Sequence, residues 1–336
     1  MSGSALDKVD LTAGQQSRQG ATLMERFLGD KTSWGAAVPL VILWIGLALL
    51  SPYFLTTTNL LNILLQASIV GVLAFGSTVA LITEEIDLSV GALEGFTAVI
   101  AATVIIRLGF PWPVGVLGAI GCGAAIGLTN GLVTTLIGIP SFITTLATLG
   151  ITSGLALSIT GGNAIYGFPE GYLTIGRGRF LGLPVSAILA CAVLFLIWFT
   201  LRFTRLGLRF YAVGGSSAAA LELGINPRRV KTIALTISGT CAGIAGVLIS
   251  ARLNAANGNF GQFDLLDAIA AVVIGGTALT GGVGSVIGTA FGVLIIVTIR
   301  NGLDLLGVSP FWQTAAVGAM ILVAAMLHRF TALRWR

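Results

Sequence analysis

The chain has 336 residues, of which 55% are hydrophobic and only 9% are charged, and its mean hydropathy is +0.98. A soluble globular domain carries about 25% charged residues, so the composition excludes an ordinary soluble fold and indicates an all-α membrane protein. The net charge of +5 and the pI near 9.5 are not accompanied by a basic domain with interleaved aromatic residues, so we expect no nucleic-acid partner.

Eight apolar stretches are each long enough to cross a hydrocarbon core of about 30 Å as a helix. They are Trp34–Ser51, Leu60–Ile82, Leu88–Ile106, Val114–Ile137, Phe142–Ile159, Val185–Leu201, Val230–Ala251 and Phe311–Leu327. Two shorter runs lie near the carboxyl end, Leu265–Leu279 and Val286–Ile299. Because Gly281, Gly282 and Gly284 separate them, we expect either two short helices or one re-entrant hairpin. Counted as two, they bring the prediction to about ten transmembrane helices.

The distribution of Lys and Arg predicts the orientation and the domain limits. Short loops rich in these residues stay in the cytoplasm, and the best fit places both termini there, with Arg252 and Arg300 among the few bases outside. We expect a cytoplasmic tail over 1–33, a transmembrane domain over 34–327 with a cytoplasmic loop at 202–230, and a cytoplasmic tail over 328–336. The first span is expected to act as an uncleaved signal anchor.

The motifs of ATPases and of hydrolytic enzymes are missing from the sequence. No lysine follows a glycine and precedes Ser or Thr, so the phosphate-binding loop is absent. The single histidine, His328, lies at the end of the last predicted span and has no evident partners for a triad or a zinc site. Gly121, Gly123 and Gly127 have small-xxx-small spacing, which predicts close helix packing. We therefore expect a chain that is not an enzyme and that binds no metal and no cofactor.

The segment TEEIDLSVG, Thr83–Gly91, interrupts the apolar sequence between the second and third predicted spans. Acidic groups are costly in lipid unless they are satisfied. We expect Asp87 to cap the third helix by accepting N–H bonds from residues two or three further on, with Ser89 allowing close approach. This role is favoured over direct contact with a solute. Glu94 lies deeper on nearly the same helical face and should meet a wet cavity or a partner.

The longest basic segment, 202–230, predicts a cytoplasmic docking element that contains a short helix. Ser216 or Ser217 is the expected N-cap, and Gly224 suits the left-handed position that ends a helix. The residues assigned to coupling with an ATPase are Ala218, Ala219, Ala220, Leu221, Glu222, Leu223 and Gly224.

Glycines and a proline mark the limits of this docking helix. Gly214 and Gly215 are expected to break the chain before it, and Asn226 followed by Pro227 resembles the start of the next span. A helix of one or two turns is not stable alone, so it should rest on the membrane domain and on a partner. A plain loop is the alternative.

The third polar cluster, Asn254–Ser285, contains a run in which Asp267 is expected to open a helix that ends in a glycine-rich break. A faint inverted repeat sets Leu60–Ile159 against Val230–Leu327 and Asp87 against Asp267. In transporters, interrupted helices at corresponding places flank a solute path near the midplane. The residues assigned to caps or gates are Asp87, Ser89, Asp267, Gly281, Gly282 and Gly284.

Polar and aromatic residues near these breaks are candidates for the solute path, because such groups suit a hydroxyl-rich solute. They are Glu94, Asn130, Asn254, Asn257, Phe260 and Trp312, together with Asp267. Helix capping and interfacial anchoring remain an equal alternative for most of them.

Three motifs occur in a specific order and spacing. They are IDLSVGA at Ile86–Ala92, GLRFYAVGGSSAAALELGI at Gly207–Ile225, and LDAIAAVVIGGTALTGGVGSVIGT at Leu266–Thr289, followed by NGLDLLGVSPFWQ at Asn301–Gln313. Together they resemble the permease subunits of bacterial ABC importers of the ribose, xylose and galactose group, the second carbohydrate uptake family. The resemblance covers Asn59 to Gln313.

The resemblance implies a type II ABC importer-like permease in the bacterial inner membrane. Two copies of the chain, or one copy and a close paralogue, would form the pore. A cytoplasmic ABC ATPase, which itself binds ATP and Mg, would dock on the loop that contains Ala218–Leu223, and a periplasmic solute-binding protein would deliver a sugar.

This sequence departs from the family pattern at three acidic positions. Relatives usually carry glycine where this chain has Glu84 and Glu85, and an apolar or small residue near Glu94, so the local geometry and the solute class stay open. Related permeases carry branched-chain amino acids, nucleosides or furanose-like signals. Two other classes are a secondary carrier or channel with its own coupling ion, and a membrane-embedded enzyme, which would need a catalytic cluster.

Overall fold

The computed structural model describes residues 36–309 and 312–319. In chain order the helices are α1 (Ala37–Leu50), α2 (Thr57–Ile82), α3 (Val90–Ala102), α4 (Trp112–Leu132), α5 (Ser141–Thr160), α6 (Glu170–Arg177), α7 (Val185–Phe203), α8 (Arg205–Gly215), α9 (Ser217–Glu222), α10 (Pro227–Leu253), α11 (Asp264–Ile274) and α12 (Val286–Leu305). Residues 312–319 are also helical. Single π-helical turns extend α3 and α4, over Thr103–Arg107 and Val133–Ile137.

Within the described residues, seven of these helices are long and apolar enough to cross a membrane: α2, α3, α4, α5, α7, α10 and α12. The strands in the same part of the chain are two residues long. Ile165–Tyr166 pairs with Ala255–Ala256, and Arg179–Phe180 pairs with Leu183–Pro184. The prediction of an all-α membrane protein is confirmed.

The count of about ten spans stays a prediction, because several of the predicted elements lie wholly or partly outside the described residues. These are the tails 1–33 and 328–336, the start of the first span at Trp34, and most of the last span Phe311–Leu327.

The glycine-rich region near the carboxyl end differs from both predicted alternatives. It contains one short helix, α11, of 11 residues and one full-length helix, α12, of 20 residues. The Oγ of Ser285 accepts a hydrogen bond of 3.4 Å from the N–H of Gly288, so α12 begins directly after the glycines. Arg300, which ends the apolar run in the sequence, is ion-paired and lies inside α12. The helix therefore continues to Leu305.

α10 is the central helix of the fold, in contact with α2, α3 and α4. Its contact with α4 depends on glycines in both helices: Gly123 and Gly127 of α4 face the backbone of Gly239 and Gly243 of α10. Helices in lipid associate through such close backbone contact, because lipid tails leave little hydrophobic driving force between them. The predicted packing role is confirmed for these two glycines of α4, whereas Gly121 packs on none of the described residues.

Gly127 and Gly121 give a matched test of this contact. A side chain at Gly127 would overlap the backbone of Leu235 and Gly239, whereas Gly121 has no atom within 4 Å among the described residues. We expect Gly127→Val to destabilise the chain by about 1–3 kcal/mol or more through overpacking. Thermal unfolding in detergent should show a lowered midpoint for Gly127→Val and an unchanged one for Gly121→Val. Equal midpoints would contradict the packing described here.

Candidate functional site

The docking helix α9 has the caps that the sequence predicts. The Oγ of Ser216 accepts a hydrogen bond of 3.2 Å from the N–H of Ala219. At the other end Gly224 has a φ of +77°, and the N–H of Ile225 donates to the carbonyl of Ala220 at 3.0 Å. This arrangement is a Schellman motif, in which glycine avoids the strain of the left-handed backbone. The predicted capped helix is therefore present, and the plain loop is excluded.

The surface of α9 is partly apolar. Ala220 is buried against the protein, whereas Leu221 and Leu223 are 62% and 79% exposed. The basic residues Arg228 and Arg229 are exposed at the start of the next helix. Large exposed leucines beside basic groups on a loop outside the membrane spans are typical of a protein interface.

Helix α8, which precedes α9, was not predicted from the sequence. Thr204 caps it by accepting a hydrogen bond of 3.2 Å from the N–H of Gly207. The expected break at Gly214 and Gly215 is wrong, because both residues lie in α8 and the chain bends at Ser216 instead. Glycine at 214 serves packing: a Cβ there would overlap the carbonyl of Ile82.

Two segments without regular structure lie beside the end of α8: the first break, residues 83–89 between α2 and α3, and the second break, residues 275–285 between α11 and α12. The N–H of Gly282 donates to the carbonyl of Ile82 at 2.9 Å. The hydroxyl of Tyr211, on α8, donates to the carbonyl of Gly284 at 2.9 Å. The docking segment, α8 and α9, is thus bonded to the second break and, through Gly214, packed on Ile82, the last residue of α2, where the first break begins.

The two glutamates of the first break also face this junction. Glu84 has a φ of +66°, a conformation that glycine adopts without strain, and Gly281 of the second break packs against it. Glu85 forms an ion pair of 2.7 Å with Lys231 in the first turns of α10. The first break is therefore tied to the helix that follows the docking segment.

Helix α5 satisfies the backbone of the first break. The N–H groups of Ile86 and Leu88 donate to the Oγ of Ser141 at 3.1 Å and the Oγ1 of Thr145 at 3.0 Å. The Oγ1 of Thr145 in turn donates to the carbonyl of Ile86 at 3.1 Å. Non-helical backbone is tolerated at membrane depth when protein groups supply its hydrogen bonds in this way.

Asp87 and Ser89 organise the end of the first break. Asp87 Oδ1 accepts hydrogen bonds from the N–H and the hydroxyl of Ser89, at 3.0 and 2.6 Å. The amide of Asn130 donates to the Oγ of Ser89 at 3.1 Å and accepts from Thr148 at 2.6 Å. Asp87 therefore bonds a residue two positions further on, just before α3. A gating role for these residues stays a prediction.

Glu94 is fully buried, and neither of its carboxyl oxygens has a hydrogen-bond partner among the described residues. It lies against Gly261, in the connection from α10 to α11, and the neighbouring Gly95 packs on the carbonyl of Phe260. The structure thus brings the helix turn that contains Glu94 and Gly95 against residues 260 and 261.

The remaining path candidates are bonded within the fold or exposed. Asn254 ends α10 with a φ of +54° and accepts a hydrogen bond of 3.0 Å from the N–H of Phe168. Asn257 accepts one of 2.9 Å from the N–H of Asn259. Trp312 is exposed at the start of the stretch 312–319. Asn254 is the C-cap residue of α10 and its side chain bonds a distant loop, whereas the side chain of Asn257 closes a turn before α11. A role in the path stays a prediction for all three.

Asp267 does not open its helix, so the prediction that it caps α11 is wrong. The helix begins at Asp264, and Asp267 lies one turn inside, where it faces Arg300 of α12. Arg300 Nη2 donates to Asp267 Oδ1 at 2.7 Å, and Arg300 Nε lies 2.7 Å from Asp267 Oδ2. An acid within an apolar helix needs such a cationic partner. The distribution of Lys and Arg along the sequence placed Arg300 outside the membrane, so the sequence analysis did not predict this ion pair.

A charged cavity of about 270 Å³ surrounds this ion pair, between α2, α10, α11 and α12. Its polar lining consists of Gln66, Arg252, Asp264, Asp267 and Arg300. Asp264 interacts electrostatically with both arginines. Helix α10 has 27 residues, so its rise places this cavity about 40 Å from the docking segment at its other end.

A family model described as branched-chain amino acid transport system, permease component, matches residues 59–325 of the chain. The ribose import permease protein RbsC of Bacillus subtilis is 43% identical over 305 residues, which are 90% of this chain and 94% of that protein. RbsC of Escherichia coli K12 is 38% identical, over 86% of this chain and 91% of that protein. The D-allose transport system permease protein AlsC of the same strain is 36% identical, over 83% and 86%. No solved structure matches the chain.

The left-handed backbone at Glu84 gives a test of the first break. Relief of a strained non-glycine residue is worth about 1–2 kcal/mol, and the entropy that glycine loses on folding offsets about half of it. We therefore expect Glu84→Gly to raise the unfolding midpoint in detergent. Glu170→Gly, the same change in the right-handed first turn of α6, should lower it. If both variants lowered the unfolding midpoint equally, the left-handed backbone described at Glu84 would be contradicted.

Proposed function

The chain belongs to the branched-chain amino acid transport system permease component family, and we propose that it is the membrane-spanning subunit of an ATP-driven importer of a monosaccharide. The cargo is inferred from the individual relatives. Although the family description names amino acids, relatives that match more than four-fifths of this chain are named for ribose and allose. A nucleoside, a furanose-like signal or a branched-chain amino acid is the alternative cargo.

The docking segment supports the part of the proposal that concerns ATP. The chain lacks a phosphate-binding loop of its own, so the free energy must come from a partner that binds ATP and Mg²⁺. The exposed Leu221 and Leu223 of α9 are the surface that a cytoplasmic ABC ATPase would cover. Glu222, between them, is exposed as well and would meet that ATPase at the rim of the interface.

The observation that carries the proposal is the contact of the docking segment with both breaks. A displacement of α9 reaches the second break through the bond between Tyr211 and Gly284. It reaches the first break through the packing of Gly214 on Ile82 and through the ion pair between Glu85 and Lys231. Both breaks are non-helical, so they can change direction without loss of helical hydrogen bonds. Closure of the ATPase pair would therefore reorient α3 and α11 together.

The other partners complete the assembly that we propose. A second copy of the chain, or a close paralogue, would form the pore with it, and a periplasmic binding protein would deliver the sugar. The assembly would lie in the bacterial inner membrane with both termini of this chain in the cytoplasm. The chain would carry out no chemical step, and it would bind no cofactor of its own.

Uptake by proteoliposomes tests the proposal and its main competitor, a secondary carrier. The ATPase and ATP would be enclosed inside vesicles that contain this chain, and the binding protein and labelled D-ribose would be added outside. The proposal requires uptake that depends on hydrolysable ATP. Uptake by the permease alone, driven by a sodium or proton gradient, would contradict the proposal and identify the chain as a secondary carrier.

Gly224→Pro tests the docking helix. Proline fixes φ near −65°, and it removes an N–H that donates to the carbonyl of Leu221. We expect the variant to enter the membrane and to lose both ATPase assembly and uptake. Gly224→Asn, which tolerates the left-handed backbone, is the control and should retain both. Co-purification of the ATPase and ATP-driven uptake are the two measurements, and full assembly of Gly224→Pro would contradict the assigned docking surface.

Tyr211→Phe tests transmission from α8 to the second break. The variant loses only the hydroxyl that donates to the carbonyl of Gly284, a bond worth about 1 kcal/mol, or about fivefold in an equilibrium. We expect normal ATPase assembly and hydrolysis, with less sugar imported per ATP. Tyr166→Phe, at an exposed tyrosine far from the junction, should behave as the unmodified chain does. An unchanged transport ratio for Tyr211→Phe would argue against this route.

A further inference from the structure

The charged cavity at the far end of α10 has a lining with balanced charge. In the described part of the chain, its charged groups are two carboxylates, Asp264 and Asp267, and two guanidinium groups, Arg252 and Arg300. Their formal charges cancel, so the cavity carries no net attraction for a cation or an anion. A lining of this kind favours a neutral solute that can donate and accept many hydrogen bonds.

The two partners of the ion pair within the lining differ in exposure. The side chain of Arg300 is 20% exposed, whereas that of Asp267 is 2% exposed. The guanidinium is thus the more accessible partner, and it retains N–H donors beyond those that face Asp267. Because the two charges of this pair already neutralise each other, a zwitterionic amino acid would have to bind the other two charged groups, Arg252 and Asp264, and the leucine arm of the labelling experiment below tests that outcome. A neutral hydroxyl group needs only the remaining donors and lone pairs.

The rest of the lining suits the same kind of solute. Gln66 adds an amide, which offers both a donor and an acceptor. The rest of the lining is aliphatic and consists of Ile69, Val70, Ile249, Leu253 and Val297. A sugar ring has hydroxyl groups on its edges and C–H groups on its faces, so it matches a lining that contains both kinds of group.

We propose that this cavity binds the transported monosaccharide on the side where the binding protein delivers it, an inference that rests on the function proposed above. The lining comes from α2 and from α10, α11 and α12. Helix α11 ends and α12 begins at the second break, whose Gly284 is bonded to Tyr211 of the docking segment. Movement of α9 is therefore transmitted to the walls of the cavity, which would release the sugar toward the cytoplasm.

Gln66 gives the sharpest test, because no hydrogen bond within the described residues depends on its side chain and its loss should not disturb the fold. In the complete importer, we expect Gln66→Leu to lower ATP-driven uptake of labelled D-ribose by about fivefold to tenfold, the value of one hydrogen bond to a polar solute. ATPase assembly and the unfolding midpoint should stay unchanged. Gln262→Leu, the same change at an exposed residue outside the cavity, is the control and should transport normally.

A labelling experiment measures access to the cavity and its occupancy without measuring transport. In a chain whose Cys122, Cys191 and Cys241 are replaced by Ala, Gln66→Cys should react with a charged, membrane-impermeant thiol reagent added from the binding-protein side. D-ribose with the binding protein should slow that reaction about fivefold or more, by occupancy of the site, and L-leucine should not. A thiol that fails to react in the Gln66→Cys variant, equal rates with and without ribose, or protection by leucine alone would overturn the proposal.

The two proposals fail in distinguishable ways. If the unmodified complex imports ribose with ATP and Gln66→Leu imports it equally well, the cavity is not the sugar site and the proposed function stands. If the unmodified complex imports no ribose, the proposed function is contradicted, and so is the sugar site that rests on it.

Discussion

Backbone that leaves the helical conformation inside a membrane must find its hydrogen bonds in the protein, and this constraint shapes the whole molecule. The first break meets it with hydroxyl groups from α5, because Ser141 and Thr145 bond the backbone of Ile86 and Leu88. The second break meets it in part through the bond from Gly282 to Ile82. Each break is therefore held partly by contacts with other elements and partly by the helix before it: the N–H groups of Glu84 and Glu85 donate to Leu81 and Ala80 of α2, and those of Gly276 and Thr277 donate to Val273 and Val272 of α11.

These contacts are where the coupling that we propose would act on the membrane domain. The end of α8 lies where the two breaks meet, and it contributes a hydrogen bond from Tyr211 and close packing at Gly214. The left-handed backbone of Glu84 and the ion pair of Glu85 with Lys231 fall in the same few residues, and such local strain is often found in segments that change conformation.

Local rules predicted much of this structure, and contacts distant in sequence limited the rest. The caps at Ser216, Gly224 and Asn226 were predictable because each depends on residues within one turn. The extent of α8 was not, because the reason for glycine at 214 is its close packing on the carbonyl of Ile82, a contact that the local sequence does not reveal. Arg300 was assigned to a loop for a similar reason: its partner lies 33 residues away, and charge counting along the chain does not detect such a pair.

The central claim is that the docking segment and the second break move as one body, and a distance between spin labels measures it directly. Leu208 of α8, which lies outside the surface assigned to the ATPase, and Val283 of the second break are both exposed. They can be replaced by labelled cysteines in a cysteine-free chain, diluted with unlabelled chain so that only distances within one copy are read. In the assembled importer, the account predicts one narrow distance distribution that is the same without nucleotide and with a trapped ATP analogue. A distribution that broadens or shifts between the two states would contradict it.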